Sequence, residues 1–248
     1  MGLITRRRAA RRQPRIDIHP PRATDSPAEV TSHAGADGPG HGRENRSSHL
    51  WELAAAAGTA HELLCAVEER EGHSPARAAA VVALAVAVGR RLGVDEARLA
   101  DIEWAARLRD VGKLCIPRAI LEKPGELTSD EWSEMRQHAE IGERIIGSIP
   151  DLAHLARIVR AGHERWDGTG YPDRIRGHEI PLASRIVFVS DAYHAMISDA
   201  PYRHVPLTPA AARAELERHA GTQFCPSVAA AALEVLSDPA VESDHLGS

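Results

Sequence analysis

Apolar residues recur at helical spacing from Ser48 to about Leu236, and no stretch shows the alternation of a half-buried strand. Over residues 48–70, Leu53, Ala56, Ala57, Ala60, Leu63, Leu64 and Val67 keep that spacing, which predicts a helix packed on the core rather than a short coiled-coil contact. Leu99, Ile102, Ala105 and Ala106 draw the inward stripe of a helix running from about Asp95 to Arg109. Arg109 continues the stripe, with Asp110 just beyond it. An inward guanidinium at a helix end requires acidic or phosphate company, and a structural arginine–carboxylate pair answers that need as well as a ligand does. After Thr128, Trp132, Met135, Gly142, Ile145, Ile146 and Ile149 share one helical face, and His138 falls within it. A buried imidazole needs a partner, of which a metal ion is one.

Helix starts are written by side-chain chemistry. Ser74-Pro75 and Thr208-Pro209 pair an N-cap hydroxyl with proline at the first helical position, and Thr128 to Glu131 reads as a capping box. Between Glu164 and Pro181 the helical pattern breaks, and Gly168, Gly170, Pro172, Gly177 and Pro181 mark a long structured loop of the kind that often carries function.

Composition agrees with close-packed helices. Hydrophobic residues make up 43% of the chain and aromatics only 4%, with Ala and Val prominent. The net charge of −5 argues against a general polyanion binder, so nucleic acid is an unlikely partner. Cys65, Cys115 and Cys225 are far apart and form no C-x-x-C pair, which disfavours a zinc framework or disulfides and suits a reducing cytoplasm. The longest apolar run, Ala78 to Val88, is too short to span a bilayer, which takes about 20 residues. Residues 1–47 form an Arg/Pro-rich segment that reads as a disordered, solvated tail, and residues 238–248 as a flexible one, leaving a helical domain over 48–237.

Two groups of residues could carry chemistry. His73, Asp110, His138, His163 and Asp191 are suitable ligands for a divalent metal, although any one histidine is more often a satisfied core residue than a ligand. The second group is the run His163-Glu-Arg-Trp-Asp-Gly-Thr-Gly-Tyr171-Pro172. Its glycines allow positive φ and close approach of backbone to a ligand, Trp166 and Tyr171 offer faces for base stacking, and Arg165 and Asp167 offer polar contacts.

This run resembles the hallmark of HD-GYP domains. The likeness extends in order from about Glu69 to Leu236, through RDVGKLCIPRAILEKPGELT (109–128), MRQHAEIGERII (135–146), EIPLASRIVFVSDAYHAM (179–196), SDAPYR (198–203) and GTQFCP (221–226). The resemblance implies an all-α HD-superfamily bundle and metal-assisted hydrolysis of a phosphodiester, with cyclic di-GMP as substrate and one or two iron or manganese ions as cofactor. It implies His73, Asp110, His138, His163 and Asp191 as metal ligands, with Glu69 as a looser extra match. Lys113 would contact the scissile phosphate beside Asp110. Asp167, Gly170, Tyr171 and Pro172 would form the substrate-binding loop, and Arg203 would lie near the nucleotide.

The sequence also departs from the family pattern. Arg109 stands where the family has the histidine of its HD doublet, Gly162 where it has the first of two adjacent histidines, and Ala200 where it usually has arginine. A guanidinium has no lone pair to ligate a metal and stays protonated. It also repels a cation, by about 4 kcal/mol per pair of unit charges at roughly 4 Å and an effective dielectric near 20. Two functions therefore follow from one resemblance. One is a phosphodiesterase on the surviving ligands. The other is a degenerate module that binds cyclic di-GMP, with Arg109 among its contacts, or that binds a partner such as a diguanylate cyclase or another signalling protein.

Overall fold

A computed structural model describes residues 75–198 and 205–238, together with Leu63. The tail 1–47, the predicted helix over 48–70 apart from Leu63, and residues 239–248 lie outside the described residues, as do Glu69, His73, Ser74, Ala200 and Arg203. Within them the chain is all-α, and the nearest approach to a strand is an isolated bridge between Ala220 and Phe224.

The helices are α1 (Pro75–Arg91), α2 (Glu96–Leu108), α3 (Arg118–Leu121), α4 (Ser129–Arg136), α5 (His138–Gly147), α6 (Ala156–Arg160), α7 (Leu182–Ile197), α8 (Pro209–Arg218) and α9 (Pro226–Leu236). Their starts follow local chemistry. Asp95 accepts a hydrogen bond from the Arg98 amide at the head of α2, and Thr208 does the same from Ala211 at α8. Thr128 and Glu131 complete a reciprocal capping box at α4. Helix α7 is apolar almost all round, as a central helix must be. It packs against α1, α2, α8 and α9, with Ile186, Val187, Val189, Ala192 and Met196 buried. Each such aliphatic side chain contributes about 1.5–3 kcal/mol of burial.

A second apolar cluster supports the site. It joins Leu63, Leu108 and Val111 to Ile145, Ile146, Ile149, Leu152, Leu155 and Val159. The turn after α2 docks on α5 through two glycines. A Cβ on Gly112 would stand 1.9 Å from the His138 carbonyl oxygen, and one on Gly142 would press on Val159 and Val111. Only hydrogen at Gly112 lets the turn carrying Asp110 reach the start of α5.

The single helix expected after Thr128 is divided. The Gln137 amide donates to the Glu134 carbonyl, and the His138 ring takes the Met135 carbonyl through Nδ1 at 2.7 Å. The break separates a half-buried α4, carrying Trp132 and Met135, from α5, whose inward face begins at His138.

Candidate metal centre

Asp110, His138 and His163 come from three separate segments: the end of α2, the start of α5 and the turn after α6. All three are buried, and one ligand atom from each lies within 4.8 Å of the others. The two imidazole Nε2 atoms stand 2.7 Å apart. The Met135 carbonyl can only accept, so Nδ1 of His138 carries the proton and Nε2 presents its lone pair to the cluster. Burial, and then the charge of Lys113, holds the His138 pKa below its ordinary value and keeps the ring neutral. Burial pushes the Asp110 carboxyl up, but Lys113, Arg109, His138 and His163 together carry it well below the usual carboxylate range. One carboxylate and two imidazoles form a donor set that fits a borderline divalent ion.

Another expected ligand is engaged by arginine. Asp191, on α7, accepts from Arg109 Nε at 3.1 Å, and Arg77 stands 4.0 Å away. Arg109 is 7% exposed and lies between the two aspartates, with Nε 3.4 Å from Asp110 Oδ2 and Nη1 donating to the Ala106 carbonyl. Lys113 Nζ is 2.7 Å from Asp110 Oδ1. Three cations thus face two carboxylates, which favours an anion as well as a metal. Gly162 sits in the 3-10 turn Ala161–His163, and a Cβ built there meets nothing within 4 Å.

The loop after His163 folds back on itself. A Cβ on Gly170 would lie 2.4 Å from the Arg165 amide nitrogen and 2.6 Å from the His163 carbonyl oxygen. The close approach expected at Gly170 is therefore to the chain's own backbone rather than to a ligand, while Gly168 has the positive φ, +80°. The fold-back places Tyr171 on His163, with ring centres 5.1 Å apart and planes 9° from parallel. The ring expected to stack on a base is thus buried against an imidazole. The Tyr171–Pro172 bond is cis. Asp167 accepts from the Thr169 amide and hydroxyl; burial raises its pKa, but these bonds and Arg165 bring it below the ordinary value.

Three residues of this region escaped sequence reasoning. Glu164 is buried, and its Oε1 accepts from the Asp173 and Arg174 amides at 2.7 and 2.9 Å. Arg160 clasps Asp173 with two bonds of 2.6 and 2.7 Å and reaches Glu143 at 2.6 Å. Arg136, at the end of α4, lies over the rings of Trp132 and Tyr171. The charged members of the His163 run and the arginine three residues before it were visible signals for the first two.

Fold and site together define an all-helical domain with a candidate metal-binding triad. The chain belongs to the HD domain family, whose profile matches residues 62–228, and within it to the HD-GYP type. It is 40% identical over 150 residues to a cyclic di-GMP phosphodiesterase of Thermotoga maritima, covering 60% of this chain and 40% of that protein. It is 41% identical over 170 residues to the cyclic di-GMP phosphodiesterase response regulator RpfG of Xanthomonas campestris, covering 68% and 45%. A 3'3'-cGAMP-specific phosphodiesterase of Vibrio cholerae is 35% identical over 176 residues, covering 70% and 34%. The chain thus spans less than half the length of these relatives. Two solved structures share the fold. The V. cholerae cyclic GMP-AMP phosphodiesterase V-cGAP3 has a TM-score of 0.58 at 17% identity, over 78% of this chain and 50% of that one. The Bdellovibrio bacteriovorus HD-GYP-type protein Bd1817 has a TM-score of 0.54 at 16% identity, over 78% and 70%. Among the described residues no helix is long and apolar enough to cross a membrane.

Proposed function

We propose that this domain is a metal-dependent phosphodiesterase acting on cyclic dinucleotides, with cyclic di-GMP the foremost substrate. The observation that carries the reading is the convergence of Asp110, His138 and His163 on one buried point beside Lys113. A divalent iron or manganese ion on these donors would supply Lewis-acid polarisation of the phosphoryl oxygen. Lys113 would neutralise charge growing on the scissile phosphate, and its ion pair with Asp110 supports that role. Tyr171 fixes the plane of His163 by stacking on it. Asp167, Gly170 and Pro172 shape the loop on the substrate side. In the same reading Glu69, His73 and Arg203 complete the ligand and nucleotide contacts, Asp191 lends charge through Arg109, the domain runs over 48–237, and the protein works in the cytoplasm, where a diguanylate cyclase is a fitting partner.

Arg109 favours a second reading, a site that binds the nucleotide without turning it over. Its guanidinium already neutralises Asp110 and Asp191 and adds positive charge attractive to phosphate. Hydrolysis of cyclic di-GMP by folded protein with added manganese or ferrous iron decides between the two. The phosphodiesterase reading expects turnover that drops at least about 100-fold in Asp110→Asn. Tight binding without turnover establishes the second reading, and neither binding nor turnover overturns both.

A further inference from the structure

We infer that Arg136 is a phosphate-binding residue of this site, holding the second, non-scissile phosphate of a bound cyclic dinucleotide. This rests on the nucleotide reading above, in either its hydrolytic or its binding form. Several other arginines around the site face carboxylates within the protein. Arg109 meets Asp110 and Asp191, Arg160 meets Asp173 and Glu143, and Arg165 lies near Asp167. Arg136 has no carboxylate partner among the described residues, and its buried Nε has no hydrogen-bond acceptor. Glu131, five residues earlier on α4, is committed elsewhere, to Lys123 and the Thr128 amide.

Two aromatic rings hold the guanidinium in place. Its Cζ lies 5.9 Å from the centre of Trp132 and 5.5 Å from that of Tyr171. Tyr171 also stacks on His163, so one ring links the metal donors to Arg136. A guanidinium fixed against aromatic faces keeps its N–H edge for a planar or tetrahedral oxyanion, and little side-chain entropy remains to be lost on binding. A cyclic dinucleotide carries two phosphates. With one at Lys113 and the triad, the other needs a cation nearby, and Arg136 is a fixed one without a counter-ion among the described residues.

Calorimetry of cyclic di-GMP binding over a range of salt concentrations tests this with Arg136→Gln and Arg136→Lys. The expected result is a Kd raised at least tenfold in Arg136→Gln, with a flatter dependence on salt, and a salt dependence restored in Arg136→Lys. A purely structural role for the cation over the rings would lower thermal stability yet leave the salt dependence as in wild type, and that result overturns the proposal. So does an unchanged Kd in Arg136→Gln. Wild type that binds no cyclic di-GMP overturns the nucleotide reading and this inference together, whereas tight wild-type binding with an unaffected variant removes Arg136 alone.

Discussion

At residue 109 a guanidinium stands where the family pattern has a histidine. The Arg109 guanidinium fills the position between Asp110 and Asp191 where a cation joining two carboxylates would sit. Replacing it by histidine removes a fixed positive charge and adds a lone pair. Manganese bound per chain, counted by mass spectrometry after equilibration, should rise from about one ion to about two in Arg109→His. A neighbouring residue sets a pH limit. Burial and Lys113 lower the folded pKa of His138 below the ordinary 6.5, so the unfolded chain takes up this proton first as pH falls. Stability that depends on the neutral ring is therefore complete above about pH 6.5 and is lost progressively below it. Urea unfolding midpoints should drop between about pH 7.5 and 5.5 in wild type, and drop less in His138→Gln, measured without added metal.

The element that matters most is the loop from His163 to Pro181, which is tied down from both sides. Glu164 gathers the amides of Asp173 and Arg174, and Arg160 clasps the Asp173 side chain. Arg174 itself takes a left-handed conformation, with φ of 58°. The Arg160–Asp173 pair is partly exposed, so Arg160→Ala should cost only about 1 kcal/mol globally. Its local effect should be larger, and hydrogen exchange at the loop amides around Asp173 should quicken well beyond that at α7. At Gly170 the contact is with backbone that cannot move aside. Gly170→Ala should destabilise by about 2–3 kcal/mol in denaturant unfolding and loosen the Tyr171–His163 stack.

For the molecule as a whole, three cations around two carboxylates mean that the pocket is not electrostatically starved without metal. Chelation should lower the Tm of Arg109→His by more than that of wild type, in paired melts with and without EDTA. Much of this architecture was legible in the sequence. The caps at Thr128 and Thr208, the inward stripe Leu99–Ile102–Ala105–Ala106 and the buried positions of Arg109 and His138 follow from period and local chemistry, and these are short-range signals. What was not legible depends on partners distant in the chain. The break at Gln137 exists because a side chain takes a helix carbonyl, and the ring stacked on His163 is placed by a fold-back at Gly170. Arg136 reads as an ordinary last-turn arginine until Tyr171, far along the chain, is brought against it. Periodicity marks which way a residue faces, not which other segment it meets.

The open space at Gly162 has a use in chemical biology. A Cβ there touches nothing, whereas the family pattern has an imidazole at this position. A ligand carrying a small bulge aimed at residue 162 would find room here that a histidine side chain would fill. Such a matched bump and hole would tell this domain from any relative that keeps the histidine.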